Sequence, residues 1–348
     1  MGEKKRKLIV MPDDGLGAVL RAIETASYSL DIKMFHISDR ALIEAVTEAH
    51  RRGVKTRVML NPARRSGESE NDEAHAAFTS AGIKVKDTNP AFAVTHEKSM
   101  IVDDRMVLIK TLNWAPKHFT VTRDYAVLTS DPEEVAEALA CFNADWRHVD
   151  FDSQSARLIW CPGGGRERIA HFIDKAHHSL CLQHERYQDM TIIERLVRAH
   201  ERGVHVRVMS LPPHVLKEKK LIEGVNGLRI MHDIGIKVHK LKHLHLHAKM
   251  MLADGDRAIV GSINLAPGSF DERRELAIEV DDYEIATRLK RTFETDWDNS
   301  HRLDLSDVGI EEDLEKHGLK DAGSLALDVD NAKKHKKGRS RDKEKDRE

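Results

Sequence analysis

His96-Glu97-Lys98-Ser99-Met100-Ile101-Val102-Asp103 and His247-Ala248-Lys249-Met250-Met251-Leu252-Ala253-Asp254 are two versions of one pattern, 151 residues apart in a chain of 348. Each is followed at the same distance by a hydroxyl and a carboxamide, Thr111 and Asn113 in the first case, Ser262 and Asn264 in the second. The repeat reaches further in both directions. Ala49-His-Arg-Arg-Gly53-Val-Lys-Thr-Arg-Val-Met59 recurs as Ala199-His-Glu-Arg-Gly203-Val-His-Val-Arg-Val-Met209, and Asn113-Trp-Ala-Pro116 as Asn264-Leu-Ala-Pro267. Phe119 matches Phe270, and Asp145-Trp146 matches Asp296-Trp297. A period this long signals a duplicated domain rather than a solenoid. It sets the halves at residues 8–150 and 156–300, each of a size that can bury its own core.

Local patterns put the repeat on an α/β framework. Helices are expected over 16–26 and 40–50 and strands over 29–34 and 55–60, with the same sequence over 167–176, 191–200, 179–183 and 205–209. Gly53 suits the end of a helix. Strands alternating with helices imply a mixed or mostly parallel sheet in each half, flanked by helices. Side chains two apart on a strand share a face, so His96 and Lys98 can enter one pocket while Glu97 turns away, and likewise His247 and Lys249. Asp103-Asp104 and Asp254-Gly255 read as tight turns, after which the loops at 110–113 and 261–264 return to the histidine strand.

These residue types suit a phosphodiester. Its negative charge repels an incoming nucleophile, so Lys98, Lys249, Asn113 and Asn264 would neutralise and orient it without a metal. One imidazole can attack phosphorus to give a covalent intermediate while another, protonated, supplies the leaving oxygen with a proton. One histidine per half fills both parts.

On these residues the chain resembles the phospholipase D superfamily, whose motif is His-x-Lys, four further residues and Asp, then Gly-Ser-x-Asn. The second half matches it through His247, Lys249, Asp254, Gly261, Ser262 and Asn264. The first half keeps His96, Lys98, Asp103 and Asn113 but has Lys110-Thr111 in place of Gly-Ser, which sets the glycine-dependent loop geometry in question. The resemblance implies two α/β domains related by a pseudo-twofold axis, both histidines facing one phosphate, and a phosphohistidine released by water or an alcohol. It implies His96 as nucleophile and His247 as general acid. Asp124 and Glu275, at corresponding places, would each contact the histidine of the opposite half, against the alternative of a solvent-facing or arginine-paired acid. Asp103 and Asp254 are expected as supporting or turn residues. Glu185 resembles an acid of the cardiolipin-synthase-like branch; Phe35 replaces it in the first half, making Glu185 a substrate-side or structural candidate.

Other features carry less. His243-Leu-His245-Leu-His247 could align three imidazoles, but no carboxylate accompanies them at that spacing, and no metal or other cofactor is expected. Pro162-Gly-Gly-Gly165 lacks the ending of a phosphate loop and reads as a turn between domains. Cys141, Cys161 and Cys181 have no metal-ligand spacing and fit a reducing, cytoplasmic setting. A formal charge of −2, with 33% charged and 40% hydrophobic residues, singles out no partner. The stretch 62–71 is expected as an exposed loop, and 301–330 as a short extension with a helix over 310–317. Residues 331–348, with nine Lys or Arg against four Asp or Glu, form a solvated tail that could touch nucleic acid or anionic headgroups. The function expected is a monomeric phospholipase D-type hydrolase or phosphatidyltransferase acting on phospholipid, peripheral at the membrane. A metal-independent nuclease and a decayed phosphate-binding protein are the alternatives; aromatic residues at 5% offer little stacking surface for the former.

Overall fold

The computed structural model describes residues 5–62, 71–216 and 219–319. The charged tail, most of the 62–71 loop and the end of the 301–330 extension lie outside them. The first half contains β1 (Arg6–Met11), α1 (Gly17–Glu24), β2 (Ser29–Met34), α2 (Arg40–Arg51), β3 (Lys55–Leu60), α3 (Asp72–Ser80), β4 (Lys84–Asp87), β5 (Val94–Thr95), β6 (Ser99–Val102), β7 (Met106–Lys110), α4 (Lys117–Thr120), β8 (Thr122–Thr129) and α5 (Pro132–Arg147). The second contains β9 (Leu158–Cys161), α6 (Gly165–Asp174), β10 (Ser179–His184), α7 (Met190–Glu201), β11 (His205–Met209), α8 (Lys219–Asp233), β12 (Lys237–Leu241), β13 (His245–Leu246), β14 (Lys249–Ala253), β15 (Arg257–Gly261), α9 (Pro267–Asp271), β16 (Arg273–Val280) and α10 (Tyr283–Asp298). β17 (Ser300–Arg302) and α11 (Asp307–Lys316) follow.

The two sheets have the same order, β1-β8-β7-β6-β2-β3-β4 and β9-β16-β15-β14-β10-β11-β12, with β17 added at the edge of the second. Each is mixed. Only the run from β2 to β4, and its counterpart from β10 to β12, is parallel, because only there does a helix make the crossover. Asp39 and Asp189 start the equivalent helices α2 and α7 by accepting the backbone N–H of Leu42 and Ile192, each at 3.2 Å.

Packing follows from alternation along the strands. Ile9, Leu30, Ile32 and Met100 face α1 to α3, and Leu180, Leu182, Met251 and Ile259 face α6 to α8. The opposite faces meet in one core common to both halves, where Val107, Tyr125 and Phe142 join Val260, Leu276 and Phe293. Strands β1 and β9 have no counterpart in the sequence reading, because Leu8–Met11 and Leu158–Cys161 are too short to show a period. The Gly163–Gly165 turn also differs from expectation: it joins β9 to α6 inside the second half. A side chain at Gly165 would collide with Cys161 Sγ and Trp160 O, so glycine here serves close helix–strand packing.

Two short strands leave their own half. β5 pairs in parallel with β16, and β13 with β8. His96 and Glu97 then donate their N–H groups to Arg274 O, at 2.9 and 3.0 Å, and His247 donates to Arg123 O at 3.2 Å. The His-x-Lys segments therefore lie where the chain passes from the opposite sheet back to its own, rather than within one regular strand.

Candidate active site

The crossing fixes what each histidine meets. Arg274 is followed by Glu275, so His96 Nδ1 lies 2.9 and 3.1 Å from the Glu275 carboxylate oxygens. Arg123 is followed by Asp124, so His247 Nδ1 lies 2.7 Å from Asp124 Oδ1. Both carboxylates are wholly buried, and each belongs to the half opposite its histidine. A carboxylate facing Nδ1 holds the proton there and leaves a lone pair on Nε2 of the neutral ring. Burial pushes the His96 imidazole down to about 4, against the pull of Glu275.

Lys98 and Lys249 each donate Nζ to the carbonyl oxygen of the histidine two residues earlier, at 2.5 Å, so the i,i+2 spacing locks the pair. Burial, opposed by Glu275 and reinforced by Lys249, brings Lys98 down to about 7. The intervening Glu97 does point away, into a buried ion-pair group with Lys33 at 2.9 Å. Asn113 and Asn264 are buried, and each leaves a side-chain oxygen position without a partner. A half-turn of either amide would present an N–H from the same place.

The two halves differ around this centre. Phe35 lies with its ring 5.1 Å from His96 and under the Lys98 ammonium at 5.3 Å. In its place the second half has Glu185, which accepts from Lys249 at 2.5 Å. Burial would raise the Glu185 carboxyl, but Lys249, His247 and the hydrogen bond from Lys249 hold it down at about 2. Lys110 is buried against Trp114, its ammonium 5.0 Å from the ring and without a hydrogen-bond partner, and burial lowers it to about 7. At the equivalent Gly261 a Cβ would stand 2.3 Å from both Ala277 Cα and Leu276 O. The lysine thus fills a space present only in the first half, and Thr111 keeps its place beside it.

Thr111 and Ser262 do not reach toward the cleft. Thr111 Oγ1 donates to Asp124 at 2.5 Å and accepts Tyr125 N–H at 2.9 Å; Ser262 Oγ accepts Leu276 N–H at 3.0 Å. Both hydroxyls brace the strand that carries the acid. Asp103 and Asp254 stand apart, in left-handed backbone with φ of 54°. Each accepts from consecutive N–H groups at the start of β2 or β10, Ser27 to Ser29 or His177 to Ser179.

Several contributors escaped the sequence reading. His118 is buried, donates from Nδ1 toward Asp124 Oδ2 at 3.2 Å, and lies 4.2 Å ring to ring from His247; burial takes it to about 4. Asp124 therefore serves Thr111, Thr122, His118 and His247, whereas both Glu275 oxygens face His96. Comparing the halves could have exposed His118, because Ser269 occupies its place in the second. The repeated Asp145 and Asp296 form reciprocal ties across the interface. Arg123 grips Asp296 through Nε and Nη2 at 2.8 and 2.9 Å, and Arg274 donates to Asp145 at 3.1 Å.

His118, Asp124 and His247 offer ligand atoms within 4.8 Å of one another, a possible metal donor set. Here both imidazole Nδ1 atoms are already directed at the carboxylate. The sequence trio of His243, His245 and His247 does not converge: the first two are exposed and border a separate cavity with His214, His301 and His317.

Several known proteins are similar to this chain. The mitochondrial cardiolipin hydrolase of Chlamydomonas reinhardtii is 30% identical over 137 residues, covering 38% of this chain and 57% of that protein, so the chain spans little more than half of that relative's length. Cardiolipin synthase B of Salmonella typhi is 24% identical over 329 residues, covering 79% and 76% of the two chains. The solved structure of phosphatidylserine synthase from Haemophilus influenzae superposes with a TM-score of 0.69 at 11% identity, over 87% of this chain and 88% of the other, and so has the same fold. The model of the cardiolipin synthase, phospholipase D-like domain matches twice, at residues 19–146 and 169–297. With two copies of that domain and a histidine of each held by the acid of the other, the chain belongs to the phospholipase D superfamily.

Proposed function

We propose that the protein is a phosphodiesterase or phosphatidyltransferase acting on phospholipid through a phosphohistidine. The observation that carries the reading is the reciprocal pairing of His96 with Glu275 and His247 with Asp124, beside two lysines and two amides. Catalytic roles go to His96, Lys98, Asn113, His247, Lys249 and Asn264, with Asp124 and Glu275 orienting the rings. His96 Nε2 attacks phosphorus as the P–O bond to the leaving alcohol breaks, and that oxygen takes the proton from His247 Nε2. The phosphorylated imidazole carries a positive charge that Glu275 balances. Water or another alcohol then loses its proton to His247 and attacks phosphorus, breaking the P–N bond and restoring both rings. Unequal loading of the acids supports this direction. Glu275 gives both oxygens to His96 and keeps that ring electron-rich, as a nucleophile needs. Asp124 divides its oxygens among four donors and gives His247 a single contact, which orients that ring for proton transfer.

The phospholipid assignment rests on relatives named for cardiolipin. No helix among the described residues is long and apolar enough to cross a membrane, so substrate would be met at the bilayer surface. Vesicles of phosphatidylcholine and phosphatidylglycerol, with and without an alcohol acceptor, test it; headgroup release or transfer is expected, and the absence of both would overturn the lipid assignment. Digestion of DNA or RNA in EDTA would point to the nuclease reading instead. Intact-mass trapping with a phosphodiester should give an adduct in the wild type and His247→Asn but none in His96→Asn. Loss only in His247→Asn would reverse the roles, and a wild type that binds phosphate without an adduct would mean a binding protein.

A further inference from the structure

Beside Asn264, a cavity of about 510 Å3 opens between the segment 186–190, α8 and α9. Arg186, Gln188 and Arg273 line it. Both arginines are half-buried, and among the described residues neither guanidinium has a hydrogen-bond or ion-pair partner. The Nε2 of Gln188 is buried without a partner, close to Gly224 of α8. Arg273 lies over Gly268, within 4 Å of where a Cβ would stand, so glycine makes room for the guanidinium. Most arginines among the described residues are tied to carboxylates, including the immediate neighbour Arg274. Two unpaired guanidiniums and an unsatisfied amide beside a phosphate-binding asparagine form a donor set without its acceptor.

Among the described residues the first half has no such set. The counterparts of Arg186 and Gln188 are His36 and Ser38, which bond to each other at 2.9 Å, and Arg273 is replaced by Thr122. Its two added cations, Lys117 in the place of Gly268 and Arg40 in the place of Met190, are exposed, and Arg40 is already paired with Glu73 at 3.1 Å. Among the described residues the donor set therefore lies on one side of the pseudo-twofold axis, and a ligand can tell one end of the cleft from the other.

We propose that this cavity is a subsite for a second phosphate carried by the substrate itself, held by Arg186, Arg273 and Gln188 while the scissile phosphate lies between the histidines. The proposal rests on the phospholipid reading and narrows it to diesters with two phosphates. Planar guanidiniums reach phosphate oxygens in pairs, which suits them to this task better than lysine.

The test uses the full chain and phosphatidylcholine vesicles containing either phosphatidylglycerol, with one phosphate, or diphosphatidylglycerol, with two, at equal lipid phosphate. Product release is measured for the wild type, Arg186→Ala, Arg273→Ala, the double variant, and Arg186→Lys with Arg273→Lys. The preference in kcat/KM for the two-phosphate lipid should fall roughly ten- to hundredfold per arginine, as expected for a lost charge-assisted contact, mostly through KM. The lysine pair should keep part of it. An unchanged preference in the double variant, or equal losses on both lipids, would overturn the subsite. If added inorganic phosphate raises turnover of phosphatidylglycerol to the level of the two-phosphate lipid, the cavity takes a free anion, and the substrate assignment is overturned. Should the wild type release product from neither lipid, the phospholipid reading fails, and calorimetry with inorganic phosphate judges the cavity alone. Two equivalents per chain, reduced to one in the double variant, would support it, and one equivalent in the wild type would reject it.

Discussion

Removing Asp296 should loosen the two halves and the catalytic centre together. Its carboxylate accepts two bonds from Arg123 and a third from Gln183 Nε2 at 2.7 Å, and both members of the ion pair are about 95% buried. Asp296→Ala leaves the guanidinium in the interior with Met11 O, at 2.7 Å, and the half-exposed Asp13, at 3.3 Å, as its remaining acceptors. Stranding one partner of a buried pair costs roughly 3–5 kcal/mol. Replacing both partners by apolar residues of similar shape, as in Arg123→Met with Asp296→Leu, should cost far less, because no charge is left stranded. Urea unfolding followed by tryptophan fluorescence would give the double-mutant cycle, with an expected coupling of roughly 3 kcal/mol. Arg123 is the residue before Asp124, so Asp296→Ala should also lower kcat by releasing the strand that holds His247. A coupling below about 1 kcal/mol, the range of an exposed ion pair, would refute the tie as a unit. So would an unchanged kcat in the folded Asp296→Ala protein.

Three further outcomes are expected. In kcat/KM for a soluble diester, activity should rise as pH climbs through about 4, where His96 loses its proton, and fall as pH climbs through about 7, where Lys98 loses its charge. Lys98→Arg, which keeps a charge, should carry the alkaline limb upward, and Glu275→Gln should move the acid limb lower still; limbs that stay fixed would exclude these groups. Gly261→Ala should unfold the protein at lower denaturant by roughly 1–3 kcal/mol, because its methyl meets backbone on β16, and a wild-type midpoint would contradict the packing. His118→Ser, which copies Ser269, should leave Asp124 freer to grip His247 and slow release of a basic alcohol more than release of a nitrophenolate, which needs no proton; equal effects on kcat for the two leaving groups would show that His118 has no hold on the acid.

The fold was legible where two copies of one pattern agree. Strands over 29–34, 55–60 and 205–209 coincide with β2, β3 and β11. Asp124 and Glu275 meet opposite histidines, as the resemblance implied, and the arginine pairing weighed against it falls to the preceding residue, Arg123 or Arg274. What the sequence left hidden depends on partners far along the chain. Thr111 and Ser262 look available to a ligand until the strand they brace is known. Arg123, 173 residues from Asp296, carries no local mark of its partner. His118 sits in a four-residue helix too short for periodicity to reveal, and β1 and β9 are likewise fixed by their neighbours β8 and β16 rather than by pattern.

The exchange of β5 and β13 bears on how a doubled chain can diverge. Two self-sufficient copies would be mutual spares, and either could decay at no cost. Here each copy keeps the other's histidine in order, so a lesion at the centre of one disables both and duplication confers no redundancy. Freedom remains around that centre, where Phe35 corresponds to Glu185, Lys110 to Gly261, His118 to Ser269 and Thr122 to Arg273. A symmetrical machine can acquire a direction there, one end receiving what leaves and the other retaining what stays, without disturbing the pair of rings on which both ends depend.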